Sequence, residues 1–546
     1  MYCSSLTLTY HGPTKMSMRL QVALAALLAF TTGWVVGVTK LTQILMTTPD
    51  GPYPTASEMV ATQFLVTFGL SKAVGNFLAG SGADTYGRKP IMLAGWLLGA
   101  AFSATVLCAR SWTVIVASDL LLGLNQALCW SSALFLALDI LGPSRRALAS
   151  GLVETAGYTA IALASPLVDA LGVSAAPALH GTLLALCLLC AGVTLFVVRE
   201  TRVPESPRAI SSRTSAGAEV AEVAESGSGS GSGGSGGRGG GGVAVGGCGA
   251  PPGNATIVWP SGRQEHVSAT KLACLHASCL DGGLMACCLV GLSLNFGTAF
   301  AWGVMTRWLK RVAVSGGGGG GSEAGSGATS SGAEGALSVG TILLLYSIPK
   351  GICQLPAGVL ADFYRHKGIG PREVVCAGLV IISASLALFS ILAASTDALA
   401  PPLLLGLAAP LAFLLGAGTA LAYSPVLAVV AERADPDWRA SALGAYRFWR
   451  DAGYAVGGLV LGSITDVAQG VPWVAPLLAA GVVLGTALVF ARAVDSSVTV
   501  VVSSSERAAS TSTRNRQVEV VVELADAPTS DVAIETKQSL SYGRIE

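Results

Sequence analysis

The sequence has few charged residues, few histidines and no regular cysteine pattern. Charged residues make up 12% of the 546 residues, against about 25% in soluble domains, whereas 52% are hydrophobic and the mean hydropathy is +0.62. The five histidines form no H-E-x-x-H motif, and the twelve cysteines lie mostly within apolar runs, so neither a metal site nor a disulfide framework is predicted. The net charge of +1 gives no reason to expect a nucleic-acid partner. This composition excludes an ordinary soluble protein and predicts a multi-pass membrane protein without a cofactor.

Apolar runs long enough to cross a bilayer predict twelve transmembrane helices. The predicted spans are 20–46, 59–82, 90–108, 113–139, 147–171, 180–198, 283–305, 336–361, 373–394, 402–431, 441–465 and 472–493. The fold class is therefore an all-α membrane protein.

A Gly/Ser-rich stretch between the sixth and seventh spans divides the chain. Such sequence buries too little apolar surface to fold and is expected to behave as a flexible coil. The tail after the last span is polar and is expected to be disordered, apart from short Val-rich patches. The predicted parts are an N-terminal segment at 1–19, a six-helix bundle at 20–198, the linker at 199–282, a second six-helix bundle at 283–493 and the tail at 494–546.

Basic residues in four short loops, beginning with Arg88 and Lys89, fall on one side of the predicted membrane. The positive-inside rule makes that side cytoplasmic, together with both termini and the linker. One basic cluster, Arg307, Lys310 and Arg311, falls on the opposite side and is an exception to this rule.

Segments of the first bundle recur in the second. Lys72 precedes Asp84 by twelve residues, and Lys350 precedes Asp362 by the same interval, so both pairs are offset by 278 (350 minus 72, 362 minus 84). Similarly, "TAGY" ends at Tyr158 and "DAGY" at Tyr454. Such repeats predict two pseudo-symmetric bundles and are typical of secondary transporters, whose binding sites lie near the midplane.

The loop after the second span, "GSGADTYGRKP", resembles the loop motif G-x-x-x-D-x-x-G-R-K of the major facilitator superfamily. A second copy keeps Gly358 and Asp362 but has Arg365 at the position of the second glycine. With the repeats and the twelve spans, the resemblance covers residues 20–493. It implies a major facilitator fold.

The resemblance also implies a cytoplasmic gate. Asp84 would face the start of span eleven, where free backbone N–H groups favour an anion, and Arg88 would pair with Asp139. The predicted gate residues are Gly80, Asp84, Gly87, Arg88, Lys89, Asp139, Arg146, Gly358, Asp362, Glu432 and Arg439.

Two lysines are predicted near the middle of the bilayer. Twelve helical residues place Lys72 about 18 Å from Asp84, within a core about 30 Å thick, and Lys350 is placed equivalently. A lysine at that depth costs roughly 2.5–3.5 kcal/mol, so each should face a wet cavity or a partner. Two cations across a cleft predict an anionic solute.

The predicted site has substrate-binding and proton-coupling residues. The substrate-binding residues are Lys72, Asn76, Tyr158, Asn125, Trp302, Lys350 and Gln354; the proton-coupling residues are Glu154 and Asp451. In the alternative interpretation, each lysine neutralises a buried acid, with Glu154 and Asp451 as the candidates. Lys40, near the outer end of span one, is expected to extend to the membrane interface.

We therefore predict a monomeric secondary active transporter of a small solute, an anion, that works by alternating access with protons as a coupling partner. Its default location is the plasma membrane, with an organellar membrane left open. Two alternatives remain: a proton-coupled efflux antiporter of a neutral or cationic compound, and a non-transporting nutrient sensor on a transporter scaffold. No enzyme is predicted, since the H-x4-D pattern of His276 and Asp281 stands without accompanying motifs.

Overall fold

In a computed structural model of the whole chain, two compact units are distinguished, one formed by residues 1–211 with 270–497 and one by residues 212–269 with 498–546. The structure describes residues 18–142, 146–201, 244–247, 254–258, 264–268, 276–316, 337–354, 356–357, 360, 370–434, 439–495 and 518–521.

In the first unit, helices lie at all twelve predicted positions. They are α1 (Met18–Met46), α2 (Glu58–Tyr86), α3 (Arg88–Cys108), α4 (Trp112–Leu141), α5 (Arg146–Leu171), α6 (Ala176–Phe196), α7 (Gly282–Phe300, continued by the π-helical Ala301–Met305 and by Thr306–Gly316), α8 (Val339–Ile352), α9 (Pro371–Ala394), α10 (Pro401–Arg433), α11 (Arg439–Val467) and α12 (Val474–Asp495).

Among the described residues, nine helices are long and apolar enough to cross a membrane. The other three are α2 and α11, which carry charged residues within their length, and α8, whose continuous described helix has 14 residues. The predicted seventh span ended at residue 305, but α7 continues to Gly316. That extension carries the basic cluster of Arg307, Lys310 and Arg311.

Helix ends follow local sequence rules. The side chains of Ser57, Ser111 and Ser338 cap the N-termini of α2, α4 and α8 by accepting a backbone N–H three residues on. Asp281 caps α7 in the same way, with 2.7 Å between its carboxylate and the Leu284 nitrogen, which gives this residue a structural role.

Equivalent helices pack alike in the two halves, the N-half (α1–α6) and the C-half (α7–α12). α1 packs on α5 as α7 packs on α11, and α2 packs on α4 as α8 packs on α10. Glycines permit these close approaches: a Cβ at Gly33 would lie 2.0 Å from the Gly157 carbonyl oxygen, and one at Gly453 would lie 2.2 Å from that of Leu292. The pseudo-symmetry predicted from the repeats is therefore present in the packing.

The halves meet mainly where α2 packs on α11 and α5 packs on α8. These contacts place the lysine-bearing helices, α2 and α8, against the helices that carry the "DAGY" and "TAGY" repeats. We call the end of the bundle with the α2–α3 turn the Arg88 side, and the end where α2 begins the Glu58 side.

The second unit contains a small antiparallel sheet among its described residues. The strands β1 (Ala244–Gly247), β2 (Asn254–Val258), β3 (Gln264–Ser268) and β4 (Val518–Val521) pair in the order β3-β2-β1-β4. Three strands come from the predicted linker and one comes from a Val-rich patch of the tail, so these short pieces are not the coil that the glycine content indicates.

Candidate functional site

A cavity lies between the two halves, beside Lys72 and on its Arg88 side. It is narrow in this conformation, with room for about one water molecule. The lining residues are Lys72, Asn76, Gln126, Trp130, Ser131, Glu154, Tyr158, Tyr423, Arg447 and Arg450. Polar and aromatic side chains from both halves therefore converge at the depth that the lysines predicted.

Asp451 on α11 is the buried counter-ion of this region. Its carboxylate lies 3.2 Å from the Lys72 ammonium and accepts hydrogen bonds from the Arg450 guanidinium at 2.7 and 3.2 Å. The amides of Asn76 and Asn295 also donate to it. With its side chain fully buried, Asp451 has its oxygens occupied by protein groups. Lys72 therefore neutralises a buried acid, as in the alternative interpretation.

Lys350 has different partners. Its ammonium donates to the Thr298 hydroxyl at 2.8 Å and to the Tyr346 hydroxyl at 3.3 Å. No ion pair joins it to a carboxylate in the described part of the chain, although its side chain is 2% exposed. It does not line the cavity, but its ammonium lies 5.2 Å from the ring centre of Tyr158, which does.

The repeats "TAGY" and "DAGY" explain why the two lysines have similar aromatic neighbours but different polar partners. The Lys72 ammonium lies 5.3 Å from the ring of Tyr454 in the opposite half, as that of Lys350 lies 5.2 Å from Tyr158. Three residues before Tyr454 is Asp451, whereas Thr155 holds that position before Tyr158. Because the N-half repeat has a threonine there, Lys350 lacks the carboxylate that Lys72 has.

Lys40 is buried, so the expectation that it extends to the interface is wrong. Its side chain is 2% exposed, and its ammonium lies 4.8 Å from the ring centre of Phe68, 4.3 Å from Tyr454 and 5.6 Å from Trp302. This aromatic cage provides cation–π contacts in place of a carboxylate. Lys40 is a third buried lysine, and it shares the rings of Phe68 and Tyr454 with Lys72.

Glu154 on α5 lines the cavity as a partly engaged carboxylate. Its Oε1 atom accepts a hydrogen bond of 3.1 Å from the Trp130 indole, whereas its Oε2 atom is buried without a partner in the described structure. The rings of Trp130 and Tyr158 contact each other edge to face, with centres 5.4 Å apart. The carboxylate thus lies beside an aromatic wall.

Of the predicted substrate-binding residues, Lys72, Asn76 and Tyr158 line the cavity, and three others besides Lys350 lie elsewhere. The Asn125 amide donates to the Gly95 carbonyl within the N-half, which joins α4 to α3. The Gln354 amide donates to the Lys350 carbonyl at 3.0 Å. Trp302 is buried beside Lys40. These three side chains make packing and hydrogen-bonding contacts, because helix spacing alone does not tell which neighbour a polar side chain meets.

The predicted pair of the gate forms. The Arg88 guanidinium lies 3.1 Å from Asp139, and Gly87 adopts φ 102°, a left-handed conformation that suits glycine. Glu200, which the sequence analysis missed, accepts hydrogen bonds from the backbone nitrogens of Arg88 and Lys89 at 2.9 and 3.0 Å. Glu200 therefore caps the start of α3.

The other gate residues are only partly described. Gly80 has open space where a side chain would be, and Glu432 is exposed near the end of α10. The side chains of Asp84, Arg146 and Arg439, and the whole of Gly358 and Asp362, lie outside the described residues.

The basic cluster that departed from the positive-inside rule joins the halves on the Glu58 side. The carboxylate of Glu58, 1% exposed at the start of α2, pairs with Arg307 at 2.9 Å and with Arg311, both from α7. Arg307 also donates to the Thr47 and Thr55 carbonyl oxygens, at 3.1 and 2.8 Å. Paired charges at this depth have a structural role rather than the orienting role that exposed loop charges have.

Two further acids complete this junction. Asp169 at the end of α5 pairs with Lys310 and accepts the Gly340 N–H of α8 at 2.7 Å. Asp466 of α11 accepts the backbone N–H groups of Glu58 and Met59, which places an acid at the N-terminus of α2. We call Glu58, Asp169, Asp466, Arg307, Lys310 and Arg311 the Glu58-side lock.

These features define a class of protein: a multi-pass membrane bundle of two pseudo-symmetric halves with a polar cavity between them. The family model described as Major Facilitator Superfamily matches residues 22–333 and 283–525. The chain therefore belongs to the major facilitator superfamily, and the predicted family and fold class are confirmed.

Solved structures of similar fold are transporters. A mutant of the nucleoside transporter NupG is covered completely, with a TM-score of 0.56 and 14% identity over 87% of this chain. A peptide transporter POT in complex with sulfate is 99% covered, with a TM-score of 0.53 and 15% identity over 88% of this chain. A POT family transporter in complex with a thioalcohol-conjugated peptide is 94% covered, with a TM-score of 0.56 and 10% identity over 86% of this chain. The comparison with curated proteins found no match.

Proposed function

We propose that this protein is a secondary active transporter that moves a small solute with an anionic group across its membrane by alternating access. The observation that carries the proposal is the excess of positive charge at the cavity. Lys72, Arg447 and Arg450 line it, but Glu154 is the one carboxylate among its described lining residues, and Asp451 lies behind it. The buried amino groups of Lys350 and Lys40 lie nearby, against the rings of Tyr158 and Tyr454 respectively. A solute anion would offset this charge.

The distribution of contacts between the halves supports alternating access. Among described residues, hydrogen bonds between the halves lie level with Lys72 or towards the Glu58-side lock. The cavity lies on the Arg88 side of that level. If the Arg88 side is cytoplasmic, as its basic loops indicate, the lock lies at the outer end of the protein, where it would act as the outer gate.

Glu154 is the better candidate for a proton-coupling group. Asp451 has two cations and two amides as partners, so a proton would have to displace them. Glu154 has one hydrogen-bond donor and a free oxygen at the cavity, where a proton can be gained and lost during the cycle. We propose that Glu154 takes this role and that Asp451 is a fixed counter-ion.

Proteoliposomes of the full-length protein with an internal pH dye test this function. We expect at least one anion from a series of small carboxylates, phosphate and sulfate to produce a saturable pH change that protein-free vesicles lack. In Glu154→Gln the pH change should be lost, because amide cannot carry the proton, whereas exchange of the labelled anion should persist.

The alternatives predict other results. An antiporter of cationic compounds would respond to organic cations and not to the anions. A sensor would bind a ligand and transport none. Either result would contradict the proposed transport of an anion. Anion-driven proton movement that persists in Glu154→Gln would contradict only the coupling role of Glu154.

A further inference from the structure

The cavity has unsatisfied hydrogen-bond acceptors on its N-half wall. Glu154 Oε2 and Gln126 Oε1 are buried, and neither has a partner within the described residues. Both residues line the cavity, one from α5 and one from α4. Buried acceptors left without donors are costly, at about 1–3 kcal/mol each. A ligand with N–H donors would satisfy this wall.

The C-half wall has the opposite character. Arg447 lines the cavity from α11, half-buried, and no hydrogen bond or ion pair engages its guanidinium in the described part of the structure. Its neighbour Arg450 differs, since that side chain is held by Asp451 and donates to the Tyr423 hydroxyl. Arg447 is therefore the cation on this wall that remains available to an anionic group.

From these two walls we infer that the transported solute is a small zwitterion, with a cationic amine bound at Glu154 and an acidic group bound at Arg447. This inference rests on the proposed function and specifies the second end of its anionic solute. The rings of Trp130 and Tyr158 lie beside Glu154 and make this end of the cavity aromatic. The cavity is narrow in this conformation, so binding of such a solute requires the halves to part on the Arg88 side.

The placement of the two groups on different halves gives binding a mechanical consequence. A zwitterion that contacts Glu154 and Arg447 together bridges α5 of the N-half and α11 of the C-half. Such a solute binds more tightly when the halves approach each other on the Arg88 side, so it favours closure there. A solute with one charged end lacks this differential contact. The carboxylate of Glu154 would then hold the solute's amine in one stage of the cycle and a proton in another.

Matched probes separate the two ends. The purified full-length protein is subjected to thermal-shift measurements with glycine, β-alanine, γ-aminobutyrate and ε-aminocaproate, and with the carboxylic acid and the amine that correspond to each. We expect at least one aminocarboxylate to bind about tenfold or more tightly than its deaminated partner, as the loss of a charged hydrogen bond entails. In Glu154→Gln that preference should disappear, while the response to the plain acid remains.

The outcomes distinguish this inference from the proposed function. Equal binding of the aminocarboxylate and the plain acid in the unaltered protein would overturn the inference of a zwitterionic solute, as would a preference that survives Glu154→Gln. Either result would leave the proposed anionic solute standing. Binding of the amines alone overturns both. A series in which no aminocarboxylate binds also rejects the inference. Gln126→Leu serves as a second variant: it should weaken the aminocarboxylate more than the plain acid, and folding is checked by its unliganded melting temperature.

Discussion

At the scale of single residues, the two halves of the site differ in the residues at two adjacent positions of the repeat. The repeats place Glu154-Thr155 opposite Arg450-Asp451, so the C-half has an ion pair where the N-half has a lone acid and a hydroxyl. Lys72 is consequently neutralised, and Lys350 is bound by hydroxyls. The symmetry that the lysines suggest is thus one of position and not of charge.

Asp451→Asn should destabilise the protein strongly, because it leaves Lys72 and Arg450 buried without their counter-ion. Removing one partner of a buried pair costs about 3–5 kcal/mol, which thermal unfolding followed by tryptophan fluorescence will detect. Asp139→Asn is the matched control, since its pair with Arg88 is part-exposed and should contribute no more than about 1 kcal/mol. Similar melting temperatures for the two variants would refute the counter-ion role.

Thr155→Asp should weaken anion binding, because it introduces into the N-half repeat the acid that Asp451 provides in the C-half. An added carboxylate near Lys350 offsets part of the cationic excess, and we expect a loss of about tenfold in affinity, or about 1.4 kcal/mol. Thr155→Asn has nearly the same shape without the charge and should bind like the unaltered protein. Anion titrations followed by thermal shift measure both, and equal affinities in the two variants would count against the electrostatic account.

At the scale of helices, the Glu58-side lock joins α2 and α5 of one half to α7, α8 and α11 of the other. Its salt bridges connect residues far apart in sequence, such as Glu58 and Arg307. The N-terminus of α2 is held additionally by Asp466. If the protein works by alternating access as proposed, these contacts have to break when the Glu58 side opens.

Glu58→Gln should shift the protein towards a conformation open on the Glu58 side, because Arg307 and Arg311 lose their shared acid. Hydrogen–deuterium exchange should rise in the last part of α7 and fall near the start of α11 on the Arg88 side. Opposite changes on the two sides distinguish a shift in conformation from general unfolding. The control is Asp50→Asn, an exposed acid in the α1–α2 loop; an identical exchange pattern in both variants would show that the lock does not hold the gate.

The helices could be predicted from the sequence, but the partners of their polar residues could not. Apolar runs of about 20 residues determine the spans, and the repeats indicated which lysines and tyrosines are equivalent. The Glu58–Arg307 contact joins residues 249 positions apart and exists only after the halves dock. The burial of Lys40 could not be predicted for the same reason: its aromatic cage combines α1, α2, α7 and α11, and no local pattern encodes it.

At the scale of the whole molecule, the two halves form one membrane transporter of the major facilitator superfamily with a cationic cavity between them. The Glu58-side lock closes one end, and the cavity lies towards the other. The central claim is that this cavity binds the anionic group of the solute and that Arg447 is the cation available to it.

The most direct test measures how small anions change the melting temperature of the purified protein, of Arg447→Gln and of Arg110→Gln. Arg110 is exposed between α3 and α4, outside the cavity, so its variant controls for the loss of one positive charge. We predict that carboxylate, phosphate or sulfate anions stabilise the unaltered protein and Arg110→Gln alike, with at least a tenfold weaker response in Arg447→Gln, about 1.4 kcal/mol. Equal responses in all three proteins, or no response to any anion, would contradict the account.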